Sequence, residues 1–143
     1  MTSNILGGAF LPHAPQFFTE PETEDQATIK RVREVGAEIG AKLKALNPDL
    51  WIVIGNDHVE QFFLAATPAF TLHMGGEAIG SFAGRDFRYD VAGDDSLALI
   101  RYLQSEGFDP AFTSTAKIDY ALGIPMTHLD IDAPVIPLYV NAY

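Results

Sequence analysis

Two histidines follow short apolar runs in the same way. His13 comes after Ile5-Leu6-Gly7-Gly8-Ala9-Phe10-Leu11, within Pro12-His13-Ala14-Pro15. His58 comes after Leu50-Trp51-Ile52-Val53-Ile54-Gly55, within Asn56-Asp57-His58. Runs of this length read as strands. If the two strands are parallel neighbours, both imidazoles emerge beyond the carboxyl ends of the sheet, where open α/β folds bind ligands. Two converging imidazoles suit a metal, and Pro12 and Pro15 stiffen the backbone that presents His13. Asn56 and Asp57 stand next to His58 and are candidates to orient its ring. Taken singly, each histidine is more simply a loop residue. Their equivalent positions favour the ligand reading.

The other titratable groups have plainer readings. His73 follows a short strand and reads as a half-exposed structural residue. His128, near Pro125, reads as a surface-loop residue. The acidic run with Glu20, Glu22 and Glu24 reads as the solvated start of a helix, and Arg85 and Arg88 as exposed loop residues. Gly75-Gly76-Glu77-Ala78-Ile79-Gly80 lacks the Lys-Ser/Thr end of a phosphate loop. No G-x-S-x-G nucleophile elbow occurs.

Composition narrows the chemistry. The chain has 143 residues, 48% hydrophobic and 20% charged, which suits one globular α/β domain over residues 1–143. It has no cysteine, so any metal is held by His and carboxylate, and iron, manganese or zinc fit best. A formal charge of −10 argues against nucleic acid and against an anionic membrane surface. No apolar run approaches a bilayer span, and the N-terminus does not read as a signal peptide. The expected location is the cytoplasm.

The elements that must position the histidines can be read in outline. Thr23 to Leu46 reads as a helix, with Thr23 and Gln26 as a capping box and Val32, Val35, Ile39, Leu43 and Leu46 as one apolar stripe. Asn47-Pro48 ends it. The Leu50–Gly55 run, apolar without alternation, predicts a strand covered on both faces. With the Ile5–Leu11 run it predicts a right-handed βαβ unit. Strands are expected in Phe70–Met74, Phe87–Val91, Phe108–Thr115 and Val135–Val140. A second helix is expected from Asp94 or Asp95 through Glu106, ended by Gly107. Residues 75–84 read as a glycine-punctuated loop. The fold class is α/β, with a mostly parallel central sheet and helices on both faces.

Four stretches together resemble the N-terminal half of the class III extradiol ring-cleaving dioxygenases, the group that includes the protocatechuate 4,5-dioxygenase catalytic subunit. Gly7-Gly8 running to Pro12-His13-Ala14-Pro15 resembles the family's Ser-His-x-Pro signature. Asn47-Pro48-Asp49-Leu50 leading to Gly55-Asn56-Asp57-His58 resembles its Pro-Asp strand and following Asp-His. Lys117-Ile118-Asp119-Tyr120-Ala121-Leu122-Gly123-Ile124-Pro125-Met126 resembles its Asp-His-Gly-x-x-x-Pro-Leu stretch. Pro134-Val135-Ile136-Pro137-Leu138-Tyr139-Val140-Asn141 resembles its late strand.

The resemblance implies a non-haem Fe(II) held by two histidines and a glutamate, with open positions for a catechol-type substrate and O₂. His13 and His58 match the two histidine ligands. Asp57 and Asp119 would support them, and Tyr120 stands where the family has its acid/base histidine. No Glu in this chain matches the family's third ligand, which lies in a C-terminal half beyond these residues. The resemblance therefore implies a domain lacking that half, exposing apolar sheet surface and associating as a homo-oligomer or with a second chain or half. Two other readings are a catalytically incomplete domain serving as a binding or structural subunit, and a His/carboxylate zinc hydrolase.

Overall fold

Val135 to Val140 forms the strand on which the rest is built, because apolar side chains leave it in both directions. The computed structural model describes residues 4–115 and 117–141. Among these, four strands form one sheet in the order β1 (Trp51–Asn56), β6 (Val135–Val140), β2 (Phe70–His73), β5 (Ala111–Thr113). β1 runs parallel to β6 and β5 parallel to β2, while β2 and β6 are antiparallel. The sheet is mostly parallel, as expected.

Helices cover both faces. On one side Val135 and Tyr139 pack with Leu122, Ile124 and Met126 of α4 (Tyr120–Leu129). On the other, Ile136 and Leu72 pack with Ile100 of α3 (Gly93–Ser105). α2 (Gln26–Lys44) lies over α4, and the hairpin of β3 (Glu77–Phe82) and β4 (Arg85–Asp90) closes the first core through Ala78 and Phe87. α1 (Gln16–Thr19) adds Phe18 to the same core. No described helix is long and apolar enough to cross a membrane.

Several expectations change. Residues 5–11 form no strand. A strand needs a ladder partner as well as an apolar composition, and among the described residues nothing pairs with the second edge of β1, the strand with which the run was expected to build a βαβ unit. β1 is covered on one face only: Trp51 and Val53 join the α4-side core, whereas Ile52 and Ile54 are 50% and 65% exposed. α3 lies over β2 and β6 and leaves that end of the sheet bare.

α2 starts at Gln26, because Asp25 supplies the cap by accepting from Ala27 N and Thr28 Oγ1. Gln26 turns back to the Pro21 and Glu24 carbonyls, so the Thr23 box does not form. α3 starts at Gly93, with Asp94 and Asp95 in its first turn rather than at its cap.

Two elements were unreadable by periodicity. α4 is apolar nearly all round and contains Gly123 and Pro125. A helix enclosed on every side has no polar face to mark its period. β3 was hidden by its glycines. Gly80 lies so close to residue 118 of the same chain that a Cβ there would come within 2.1 Å of the Ile118 carbonyl oxygen. Ala83 and Gly84, with φ of 51° and 75°, turn β3 into β4 as a two-residue hairpin loop.

His73 and His128 are also placed differently. His73 is wholly enclosed at the end of β2, and His128 is buried on α4 beside Phe18. Burial holds the His73 imidazole below the usual histidine range. Burial, reinforced by Arg33 and Arg85, does the same for His128. The unfolded chain therefore takes up protons that the folded chain resists as pH falls below about 6.5. Stability present above that pH should be lost progressively on acidification toward pH 5. Denaturant midpoints measured between pH 7.5 and 5 should show this, and His73→Leu or His128→Leu should flatten the slope. An unchanged slope in both variants would remove the explanation.

The α2–α4 crossing sets a second test. A Cβ at Gly40 would lie 2.1 Å from the Leu129 carbonyl oxygen, so the helices can approach only over a glycine. Gly40→Ala should cost about 1–3 kcal/mol by overpacking, read from urea denaturation. Gly8→Ala, where nothing lies within 4 Å of the added carbon, should be close to neutral.

Candidate metal centre

His58 is fixed by a carboxylate from a distant part of the chain. After β1 the backbone turns sharply, with Val59 at a φ of 66°. The buried Asp57 holds this turn, its two oxygens accepting from Gln61 N (2.9 Å) and Phe62 N (3.1 Å). Asp57 therefore shapes the loop and does not touch the His58 ring. The residue that does is Asp119, fully enclosed at the start of α4. Its Oδ2 accepts from His58 N at 2.7 Å, and its Oδ1 lies 2.8 Å from His58 Nδ1 and accepts from Ala121 N at 2.7 Å. A carboxylate accepts only, so Nδ1 carries the proton and Nε2 presents a lone pair. The Asn56 side-chain amide nitrogen, 3.0 Å from Nε2, donates to that lone pair, in agreement with the same tautomer.

His13 is held by different means. It lies outside any strand, and the short α1 that follows anchors it. Phe18 is buried against Phe87, with ring centroids 5.7 Å apart. The Arg85 guanidinium sits 4.4 Å above the Phe18 ring. Arg85 also pairs with Glu20 at 3.6 Å, and Glu20 pairs with Arg33 of α2. Glu20 is thus a tether for α1, and Arg85 and Arg88 both sit on β4, Arg88 paired with Glu77. The outcome is that the His13 and His58 rings meet with centroids 5.5 Å apart, tilted by 58°.

Tyr120 completes the cluster. Its ring stacks on His58 at 4.3 Å and 9°, stacks on Phe82 at 4.6 Å on its other side, and lies 6.3 Å from His13. The four residues His13, His58, Asp119 and Tyr120 come together although they span most of the chain. Phe82 was not foreseen, because β3 itself was read as loop. Asp119 as a helix cap had a local signal, an Asp two residues before an apolar run.

The donor set fits part of a divalent metal site. One imidazole has its Nδ1 held by a carboxylate, the arrangement that orients histidine ligands, its Nε2 lone pair is capped by the Asn56 amide that a metal would displace, and a second imidazole adjoins it. Among the described residues no three His, Cys, Asp or Glu side chains gather as a metal site. Both oxygens of Asp119 and of Asp57 are already engaged. The described residues thus bring together two histidine donors and no third His, Asp or Glu.

Asp119 caps a helix and buries a bond to His58 at once, so Asp119→Ala should cost about 2–4 kcal/mol. Chemical denaturation measures this. A loss no larger than that of Asp95→Ala, on the exposed start of α3, would contradict the assignment.

Comparison with known proteins gives a consistent result. The family model described as the catalytic LigB subunit of aromatic ring-opening dioxygenase matches residues 7–143. A 2,3-dihydroxyphenylpropionate/2,3-dihydroxicinnamic acid 1,2-dioxygenase from Klebsiella pneumoniae is 29% identical over 135 residues, covering 92% of this chain and 42% of that protein. A second, dioxygenase 2 of the same name from Pseudomonas putida, is 31% identical over 120 residues, covering 82% of this chain and 38% of that protein. The chain spans about two-fifths of the length of these relatives.

Proposed function

The chain belongs to the family of the catalytic LigB subunit of aromatic ring-opening dioxygenases, and on that footing we propose that it carries the two-histidine part of a non-haem Fe(II) centre for extradiol cleavage of a catechol-type aromatic by O₂. The observation that carries this reading is the meeting of His13 and His58, with His58 Nδ1 committed to Asp119 and the Nε2 lone pair, held by the Asn56 amide, as the one a metal would take in that amide's place. His13 and His58 would hold the iron, Asp119 would hold His58, and Asp57 would hold the turn that carries His58. A ferrous ion with open positions supplies chelation of both catechol oxygens and electron exchange with O₂.

Tyr120 lies against the His58 ring, where its hydroxyl can donate a hydrogen bond to a bound phenolate. A phenol keeps its proton at neutral pH, so Tyr120 serves as a donor better than as a base. The third metal ligand would come from polypeptide corresponding to the part of the relatives that this chain does not span, or from an associated chain. The bare face of β1 at Ile52 and Ile54 suits such association. By analogy with the names of the relatives, the substrate would be a 2,3-dihydroxyphenyl compound with a short carboxylate side chain.

A second reading, a binding or structural subunit with an incomplete site, is favoured by the lack of a third donor among the described residues. One experiment separates the two. Anaerobic Fe(II) titration should show binding that is lost in His13→Ala and in His58→Ala, with folding retained by circular dichroism. O₂ consumption is then measured with 2,3-dihydroxyphenylpropionate, with and without added polypeptide matching the remainder of the relatives. Equal Fe(II) binding by wild type and both variants would sink the metal reading. Binding without O₂ uptake in either mixture would leave the subunit reading.

A further inference from the structure

His58 and Asp119 belong to two segments that cross without sharing a ladder: the turn 57–62 after β1, and the stretch 117–119 before α4. Asp57 pins the turn to itself through Gln61 N and Phe62 N. That leaves the Gln61 side chain free to reach across, and its amide oxygen accepts from Lys117 N at 2.9 Å. The far side of the same residue is held by β6, where Tyr139 Oη donates to the Lys117 carbonyl at 2.7 Å. Burial pushes the Tyr139 phenol well above its ordinary value, so it remains a donor. Next along, Ile118 N donates to the Ile79 carbonyl at 2.7 Å. Three elements thus grip residues 117 and 118, and of these only Gln61 belongs to the turn that carries His58.

We propose that Gln61 is a positioning residue: by accepting the Lys117 amide it sets the spacing between the His58 turn and the Asp119 segment, and so holds the His58 ring in the Nδ1–H tautomer, with Nε2 as its acceptor nitrogen. The bonds form a closed ring. It runs from Gln61 to Lys117, along the backbone to Asp119, across the carboxylate to His58, and back along the turn. Opening it at Gln61 leaves the His58–Asp119 pair as the one remaining polar tie between the turn and the 117–119 segment among the hydrogen bonds described here. The bond lies at the surface, where water can replace a lost acceptor for Lys117 N–H. Its removal should therefore disturb the geometry of the ring more than the stability of the fold. The inference rests on the iron-site reading only in taking His58 as a ligand. The positioning itself concerns the free imidazole.

The test compares Gln61→Leu, which removes the acceptor, with Gln61→Glu, which keeps one. The His58 imidazole ¹⁵N shifts report the tautomer, and Co(II) alone serves as the metal probe. Gln61→Leu should lower the Nδ1–H population of His58 and weaken Co(II) binding by about tenfold, in the range found for residues that orient metal ligands. Gln61→Glu should restore both. If Gln61→Leu leaves both readouts at the wild-type level, or if Gln61→Glu is as impaired as Gln61→Leu, the proposal is overturned. If wild type binds no Co(II), the metal reading falls, and the tautomer comparison alone decides the role of Gln61. Should Gln61→Leu fail to fold, hydrogen exchange at the Lys117 amide of wild type decides: protection supports the bond, and open-chain exchange refutes it.

Discussion

The buried carboxylate of Asp119 is the constraint on which the site depends. It takes the backbone N–H and ring N–H of His58 and the N–H of Ala121, with no exposure to solvent. An enclosed carboxylate is tolerable only when its lone pairs meet donors, so the three donors and the acceptor stand or fall together. Through this group the start of α4 is tied to the turn after β1, with the Gln61–Lys117 bond beside it. Tyr120, the next residue, is thereby carried against the His58 ring. Stacking, tautomer and helix start are three results of one desolvated group.

The two histidines are held by unlike forces. His58 is fixed by buried hydrogen bonds, which are directional and set the ring orientation. His13 is fixed through α1, by packing and by half-exposed ion pairs. Exposed ion pairs such as Glu20–Arg85 contribute about 0–1 kcal/mol each, and the Arg85–Phe18 contact about 0.5–1. Burying the Phe18 side chain contributes about 1.5–3 kcal/mol, so Phe18 is the main anchor and the charges choose its orientation. Salt would weaken the tether of His13 and leave that of His58 almost untouched.

The sheet is asymmetric in a way that matters for the same site. α4, with α2 packed outside it, covers the face that carries Tyr139, whereas α3 covers only the β2–β6 part of the other face. Ile52 and Ile54 therefore project into solvent on β1, the strand that leads into the turn bearing His58 and whose second edge no described strand pairs. The stretch from Ile5 to Phe10 adds further exposed apolar side chains next to the His13 loop.

Much of this was legible in the residues. The runs 50–55, 70–74 and 135–140 became β1, β2 and β6, and the apolar stripe of α2 marked its half-buried side. The meeting of His13 with His58 was expected from two parallel neighbouring strands; one of those runs forms no strand, and the loop anchored by α1 brings His13 there. Strand pairing is decided by a partner elsewhere in the chain, and composition cannot supply one. α4 was hidden because a fully enclosed helix has no polar face, and β3 because close backbone approach demands glycine where a strand prefers bulk. His73 and His128 are enclosed by residues far away in sequence, so their burial had no local sign. The sequence by itself thus determined which donor types are present and which segments could become elements. Only the tertiary structure decided that Asp119 rather than Asp57 holds His58, that Tyr120 stacks on it, and that Gln61 spans the gap. Hydrogen bonds between residues some sixty positions apart are set by how the elements pack, and local pattern carries no record of that.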